Sequence, residues 1–346
     1  MSELRFRDLI INISISLISI FLSAAFLFFV LEVRHYIKNK EYLNQAWHDP
    51  NTQFDPELGW SPIPSRRIYY PGWGTISSNS LGFRSAEIDK SKNQIIILGD
   101  SVAWGFRVSD TETFPYFLDN LSLESGYQVS NLAVSGYGID QYYLFLKRHI
   151  DKFNKLKAVV LVVTTYNDLA NTATNCCYGK RKPLFMKKDN DLILTNSSIN
   201  KYCLRNLFSN SYFFGNPELE KKKVGKFLGL IAGDKSLTQR EGGEVAAHLF
   251  QKIYTLTLDH NAKFLVVLSP YKSDFIQKSE ALKWLEYVFD TVKISDLSCI
   301  DYIETLKNNQ KELDSIYLDE GHYTKKGNLL LAETVYKYLQ KELNLK

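Results

Sequence analysis

Residues 95–106 read IIILGDSVAWGF. Ile95, Ile96, Ile97 and Leu98 form an unbroken aliphatic run, which suits a strand buried on both faces, because neither face then calls for a polar residue. The Gly-Asp-Ser that follows ends the run with small polar residues, as at the carboxyl end of a strand turning into a helix. Ser101 then reads in two ways. It is either the N-cap of that helix, a position that favours Ser and Asp, or a nucleophile presented at a strand end. Three other chemistries fit the letters poorly. A phosphate-binding Walker loop needs Lys-Ser/Thr after its glycines. A phosphoryl-accepting Asp100 calls for acidic metal ligands, where Val102, Ala103 and Trp104 stand. A lipase-type elbow needs Gly-x-Ser-x-Gly, and the second glycine position holds Ala103.

Downstream, four more apolar runs alternate with segments of helical periodicity: QVSNLAV (128–134), AVVLVVTTY (158–166), KFLVVLSP (263–270) and LSCIDYI (297–303). The helical segments are 113–126, 139–153, 243–260, 279–293 and 324–343, each with apolar residues spaced three and four apart. Such alternation predicts an α/β fold, a flavodoxin-like three-layer doubly wound sheet of five parallel strands whose ligand site lies at the strand carboxyl ends. Residues 169–243 break the alternation with Asn, Lys, Gly and aromatic pairs such as SYFFGNP. They read as an insertion over the sheet edge, a lid or a substrate platform.

Residues 9–31 carry no charge, enough for a helix to cross a hydrocarbon core of roughly 30 Å. The run exceeds the 7–15 apolar residues of a signal peptide, so it is read as a retained transmembrane anchor. The expected organisation is an anchor over 1–34, a stalk and collar over 35–91 in which FDPELGWSPIPS is a loop, and an enzyme domain over 92–346. Arg5 and Arg7 flank one end of the run and Arg34, Lys38 and Lys40 the other, so the positive-inside rule does not orient it. With hydrophobic residues at 45%, charged residues at 23% and a net charge of +4 spread without a basic stripe, the chain is globular and nucleic acid is not an expected partner. Cys176, Cys177, Cys203 and Cys299 show no metal-binding spacing, and no metal or cofactor is expected. Outside the cytoplasm, Cys176 or Cys177 pairs with Cys203; otherwise all are free thiols.

An activated serine needs a base. Of six histidines, only His322, in YLDEGHYTKKGN, precedes a helix on the carboxyl side of the sheet, and Asp319 stands three residues before it, within reach of its ring across one turn. An Asp–His turn capping the last helix is the alternative. Oxyanion donors are offered by Gly136 in NLAVSGYG, where a backbone N–H approaches closely, and by the side-chain amide of Asn167 in VVTTYNDL. Read as plain structure, these are a turn glycine and a helix start.

Gly99-Asp100-Ser101, Gly136, Asn167-Asp168 and Asp319-x-x-His322 resemble, in order and strand position, the four blocks of the SGNH or GDSL-like hydrolase superfamily. The resemblance implies Ser101 as nucleophile, His322 as base and Asp319 as its orienting partner, with Ser101, Gly136 and Asn167 forming the oxyanion hole. FDPELGWSPIP and NSLGFRS are also similar to a leader found in some bacterial members. Where the family commonly has a glycine two residues before its asparagine, this chain has Thr165, then Tyr166, and a narrower site floor is expected. The implied function is a serine esterase or deacylase for a small acyl ester, on a glycan or cell-envelope polysaccharide, held at the bacterial inner membrane with its catalytic domain in the periplasm. Two alternatives keep the fold: an O-acyltransferase with a sugar acceptor, and a catalytically silent polysaccharide-binding or assembly factor.

Overall fold

A computed structural model describes residues 2–45, 49–165, 167–189, 191–195, 235–275, 283, 288, 298–307 and 312–344. Two compact units divide the chain, residues 1–48 with 203–234, and residues 49–202 with 235–346. In the first, one helix, α1 (Ser2–Gln45), contains Ile11–Leu31, which is long and apolar enough to cross a membrane. By length and composition that span suits an anchor or a signal sequence.

The second unit is built on five parallel strands, numbered along the chain: β1 (Asn93–Leu98), β2 (Tyr127–Asn131), β3 (Leu156–Thr164), β4 (Lys263–Ser269) and β5 (Ser298–Asp301). Their order is β5-β4-β3-β1-β2, as the flavodoxin-like reading requires, with Ile95 beside Val129 and Ala158 on either side. Helices follow the strands: α2 (Ser101–Trp104), α3 (Phe114–Ser122), α4 (Ile139–His149), α5 (Asn167–Thr172), α6 (Gln239–Asp259), α7 (Tyr302–Lys307), α8 (Leu313–Ile316) and α9 (Lys325–Leu343). Alternate strand residues face opposite layers. Ile95, Ile97, Val160, Val162, Leu265 and Val267 pack with Phe114, Leu118, Leu331 and Val335 of α3 and α9. The intervening Ile96, Leu98, Val159 and Leu161 are equally buried. Two covered faces explain why β1 and β3 are nearly uninterrupted apolar runs.

Two expectations need correction. The collar is a pair of antiparallel hairpins, Thr52–Asp55 with Gly59–Pro62 and Arg67–Tyr70 with Gly74–Ser77, where the punctuated composition predicts a loop. Strands of four residues carry too little periodicity to register, and their pairing is sealed by docking: Arg148 of α4 grips Asp55 at 2.5 and 2.9 Å, and Gln141 donates to the Leu58 carbonyl at 2.8 Å. The insertion also ends earlier than residue 243. Thr238 and Glu241 form a capping box that starts α6 at Gln239, four residues before the expected helix start at Gly243, so Gly242 lies inside the helix. Within the insertion, Phe185–Lys188 and Asp191–Leu194 form a hairpin, while SYFFGNP lies outside the described residues, as does the helix expected over 279–293 apart from Lys283 and Val288. Cys176 is disulfide-bonded, and Cys177 and Cys299 are free thiols. Cys203 lies outside the described residues.

Candidate active site

Each sequence-derived residue stands past the carboxyl end of a strand. Ser101 follows β1, Gly136 follows β2, Asn167 follows β3, and Asp319 and His322 occupy the turn before α9. The capping alternative for Ser101 is settled by its neighbour. Asp100 is the N-cap of α2, accepting from the Val102 N–H at 2.9 Å, which leaves Ser101 as the first helical residue. Its hydroxyl lies 2.9 Å from His322 Nε2, whereas Asp100 Oδ2 is 3.5 Å away, beyond a good O–H···O bond.

The histidine turn is locally self-made. The Asp319 carboxylate accepts from the backbone N–H groups of Gly321 (3.0 Å) and His322 (2.9 Å), curling the chain back, and a bridge between Tyr317 and Tyr323 closes its base. The same carboxylate lies 2.9 and 3.0 Å from His322 Nδ1. An ionised carboxylate only accepts, so it assigns the imidazole proton to Nδ1 and leaves Nε2 to accept from Ser101. Partial burial raises the Asp319 carboxyl, but the two N–H donors and the imidazole outweigh it and hold it below its ordinary value. A Cβ on Gly321 would stand 2.8 Å from the Tyr271 ring, so only glycine lets the turn pack there.

Beneath the serine, Asp100 also accepts from Thr164 Oγ1 (3.0 Å) and from the Asn167 amide (2.8 Å). That bond orients Asn167 Nδ2 toward Asp100, and the Tyr178 hydroxyl is a second hydrogen-bond partner of the Asn167 side chain. Asp168, next along, accepts from Tyr142 OH and the Thr164 N–H. Burial first and the charge of Asp100 second push its carboxyl well above the usual range. Thr165 is buried, its hydroxyl given to Asp274 at 2.7 Å; Tyr166 lies outside the described residues.

Gly136 joins this group indirectly. Its carbonyl accepts from Asn171 at 3.3 Å, its φ is +80°, and a Cβ there would meet the Tyr178 ring at 2.9 Å. Among the described residues, neither the Ser101 nor the Gly136 N–H has an acceptor. Gly136 is buried, and a buried N–H without a partner costs about 1–3 kcal/mol. Two open backbone donors beside the Asn167 amide form the kind of arrangement that a developing oxyanion needs.

Several residues at the site lie outside the sequence reading. Trp60 donates to the Ser135 carbonyl at 3.2 Å and Tyr137 OH to the Trp60 carbonyl at 2.5 Å, so the collar fixes the Gly136 loop. Arg84, 6% exposed, donates to the carbonyls of Trp104 (3.0 Å), Gly105 (2.6 Å) and Val108 (2.7 Å) and pairs with Asp110 (3.0 Å). It binds the end of α2 and the loop after it. Its signal was present in NSLGFRS, a motif whose single Arg follows a core Phe, but the partners lie about two dozen residues on. A buried pair of Lys182 with Asp140 ties the start of the insertion to α4.

No protein-family model and no curated protein matches the chain. Solved structures that it resembles include a member of the lipolytic G-D-S-L family from Veillonella parvula, with 12% identity and a TM-score of 0.43, covering 72% of this chain and 98% of that one. Another is the psychrotrophic esterase EstA from a Pseudoalteromonas species, at 12% identity and 0.42, covering 73% and 100%. A third is a family two carbohydrate esterase from Clostridium thermocellum in complex with cellohexaose, at 11% and 0.40, covering 75% and 67%.

Proposed function

We propose that the protein is a serine esterase that deacylates a small acyl ester through an acyl-enzyme. The observation that carries this reading is the unbroken relay from Ser101 Oγ to His322 Nε2 (2.9 Å) and from His322 Nδ1 to Asp319 (2.9 Å). His322 takes the Ser101 proton as the hydroxyl oxygen attacks the ester carbonyl, and Asp319 stabilises the imidazolium. The carbonyl oxygen, now anionic, accepts from the N–H groups of Ser101 and Gly136 and from Asn167 Nδ2. His322 then protonates the departing alcohol, and a water activated by the same nitrogen releases the acid.

The apolar span Ile11–Leu31 supports anchoring of this domain at a bacterial inner membrane. The disulfide at Cys176 favours the periplasmic side, since such bonds persist in oxidising compartments. Protease treatment of spheroplasts checks the placement: cleavage of the domain is expected, and full protection opposes it.

The chemistry is tested on the full chain in detergent with a fluorophosphonate probe and p-nitrophenyl acetate. Labelling of Ser101 together with turnover is expected. Folded protein that neither labels nor turns over reads instead as a silent binding factor.

A further inference from the structure

The wall beside His322 holds groups that ester cleavage itself does not use. The Phe106 ring lies 4.5 Å from the His322 ring, and Trp73 of the collar lies 5.6 Å beyond Phe106. Tyr70 stacks on Trp73 at 5.4 Å, lengthening this aromatic strip. Over both rings stands Arg107, its guanidinium carbon 5.1 Å from the Phe106 centroid and 5.8 Å from that of Trp73.

Arg107 is unusual on three counts. Its backbone is left-handed, with φ at +61°, a strained conformation for a side chain with a Cβ. Its side chain is 48% exposed although it sits at the triad. Its nearest charge, Asp319 Oδ2, is 3.8 Å away, too far for a hydrogen bond, and among the described residues the guanidinium donates none. Its five N–H donors are therefore available to a ligand. The loop that carries it is not slack, because buried Arg84 holds the carbonyls of Gly105 and Val108 on either side of Phe106 and Arg107.

Position decides which part of an ester meets this wall. His322 delivers its proton to the leaving alcohol, so groups packed on the His322 ring border the alcohol and not the acyl group. The apolar edges of Phe106 and Trp73 suit the C–H groups of a ring, and a planar guanidinium suits a carboxylate or another oxyanion.

We propose that Phe106, Trp73 and Arg107 form the subsite for the alcohol half of the ester, and that this half is a ring bearing an anionic group, as in an O-acylated acidic sugar. This rests on the esterase reading and names the substrate class within it.

The test compares full-length protein in detergent on two matched esters, a 2-O-acetyl methyl glucuronoside and a 2-O-acetyl methyl glucoside, with p-nitrophenyl acetate as a reference. The wild type is expected to favour the acidic ester in kcat/KM by about tenfold to a hundredfold, the worth of one hydrogen bond to a charged group. Added salt reduces that preference, since Arg107 is half exposed. Arg107→Gln brings the ratio of the two sugar esters near one, chiefly through KM on the acidic ester, and Arg107→Lys retains part of it. Melting curves confirm that both variants fold. Turnover of p-nitrophenyl acetate with no preference between the sugar esters in the wild type, or a preference that survives Arg107→Gln, overturns the subsite and leaves the esterase standing. Absence of turnover on all three esters overturns both.

Discussion

The two halves of the site are held in different ways. Ser101 is 9% exposed and Asp100 fully buried, set at the end of a central strand and tied by Asp100 to Val102, Thr164 and Asn167. Asp319 and His322 sit on a surface turn with side chains 37% and 22% exposed, shaped by bonds within a handful of residues. Precision on the Ser101 side comes from the packed sheet, and on the His322 side from a local turn. Substitutions on the first side should therefore disturb fold and activity together, whereas those on the second should alter activity with little change in stability.

The largest effects break the relay that joins the halves. Ser101→Ala and His322→Ala should each lower kcat by on the order of 10⁶, and the double variant should cost little more, because the residues act as a unit. Asp319→Asn should cost about 10⁴, since an amide favours the wrong imidazole tautomer, while its melting temperature stays near wild type. Asn167→Ala, on the buried side, should lose about 10²–10³ in kcat as one oxyanion donor goes. Steady-state kinetics paired with thermal melts check the series, and a marked loss of stability in Asp319→Asn would erase the contrast between the halves.

Arg84 sharpens the comparison, for it acts on the nucleophile half from the collar. Arg84→Met removes the donor to three carbonyls and the cation beside Asp110, which keeps its bonds from Ser77, and leaving buried acceptors unpaired costs about 1–3 kcal/mol. Denaturant melts should show that loss together with a fall in kcat. A variant as stable as wild type would mean that the collar does not brace the nucleophile loop.

The smallest expected effect is a pH slope in stability. His149 lies against Phe83 and Phe145, and burial, helped by Arg148 and Lys152, pushes its imidazole down to about 4. The unfolded chain then binds a proton that the folded one refuses between the ordinary histidine value of about 6.5 and that lowered value. Stability should thus fall as pH drops through this window, and His149→Gln should flatten the slope. Equal slopes in both proteins would assign the acid sensitivity elsewhere.

Much of this was legible before any tertiary contact is considered. Strands buried on both faces must be apolar throughout, so IIIL and AVVLVV stand out from the chain, and the site lies past their ends because a doubly wound sheet opens there. The Asp319–His322 pair was legible for another reason: its geometry is local, set by the reach of one carboxylate across one turn. The collar hairpins were hidden because strands of four residues carry no usable period, and the start of α6 because Gly242 and Gly243 obscure a capping box just before them.

What the amino-acid order determined by itself is the set of parts: five parallel strands, a serine at the end of the first, and an Asp–His pair on a turn near the last helix. Only the tertiary structure decided that Ser101 and His322, 221 residues apart, come within 2.9 Å. It also decided that Asp100 rather than Ser101 caps α2, and that Arg84 reaches three carbonyls and Asp110 in the loop beyond the nucleophile. Periodicity and turn chemistry act over a few residues. Hydrogen bonds between distant segments form only once the burial of the sheet has drawn them together.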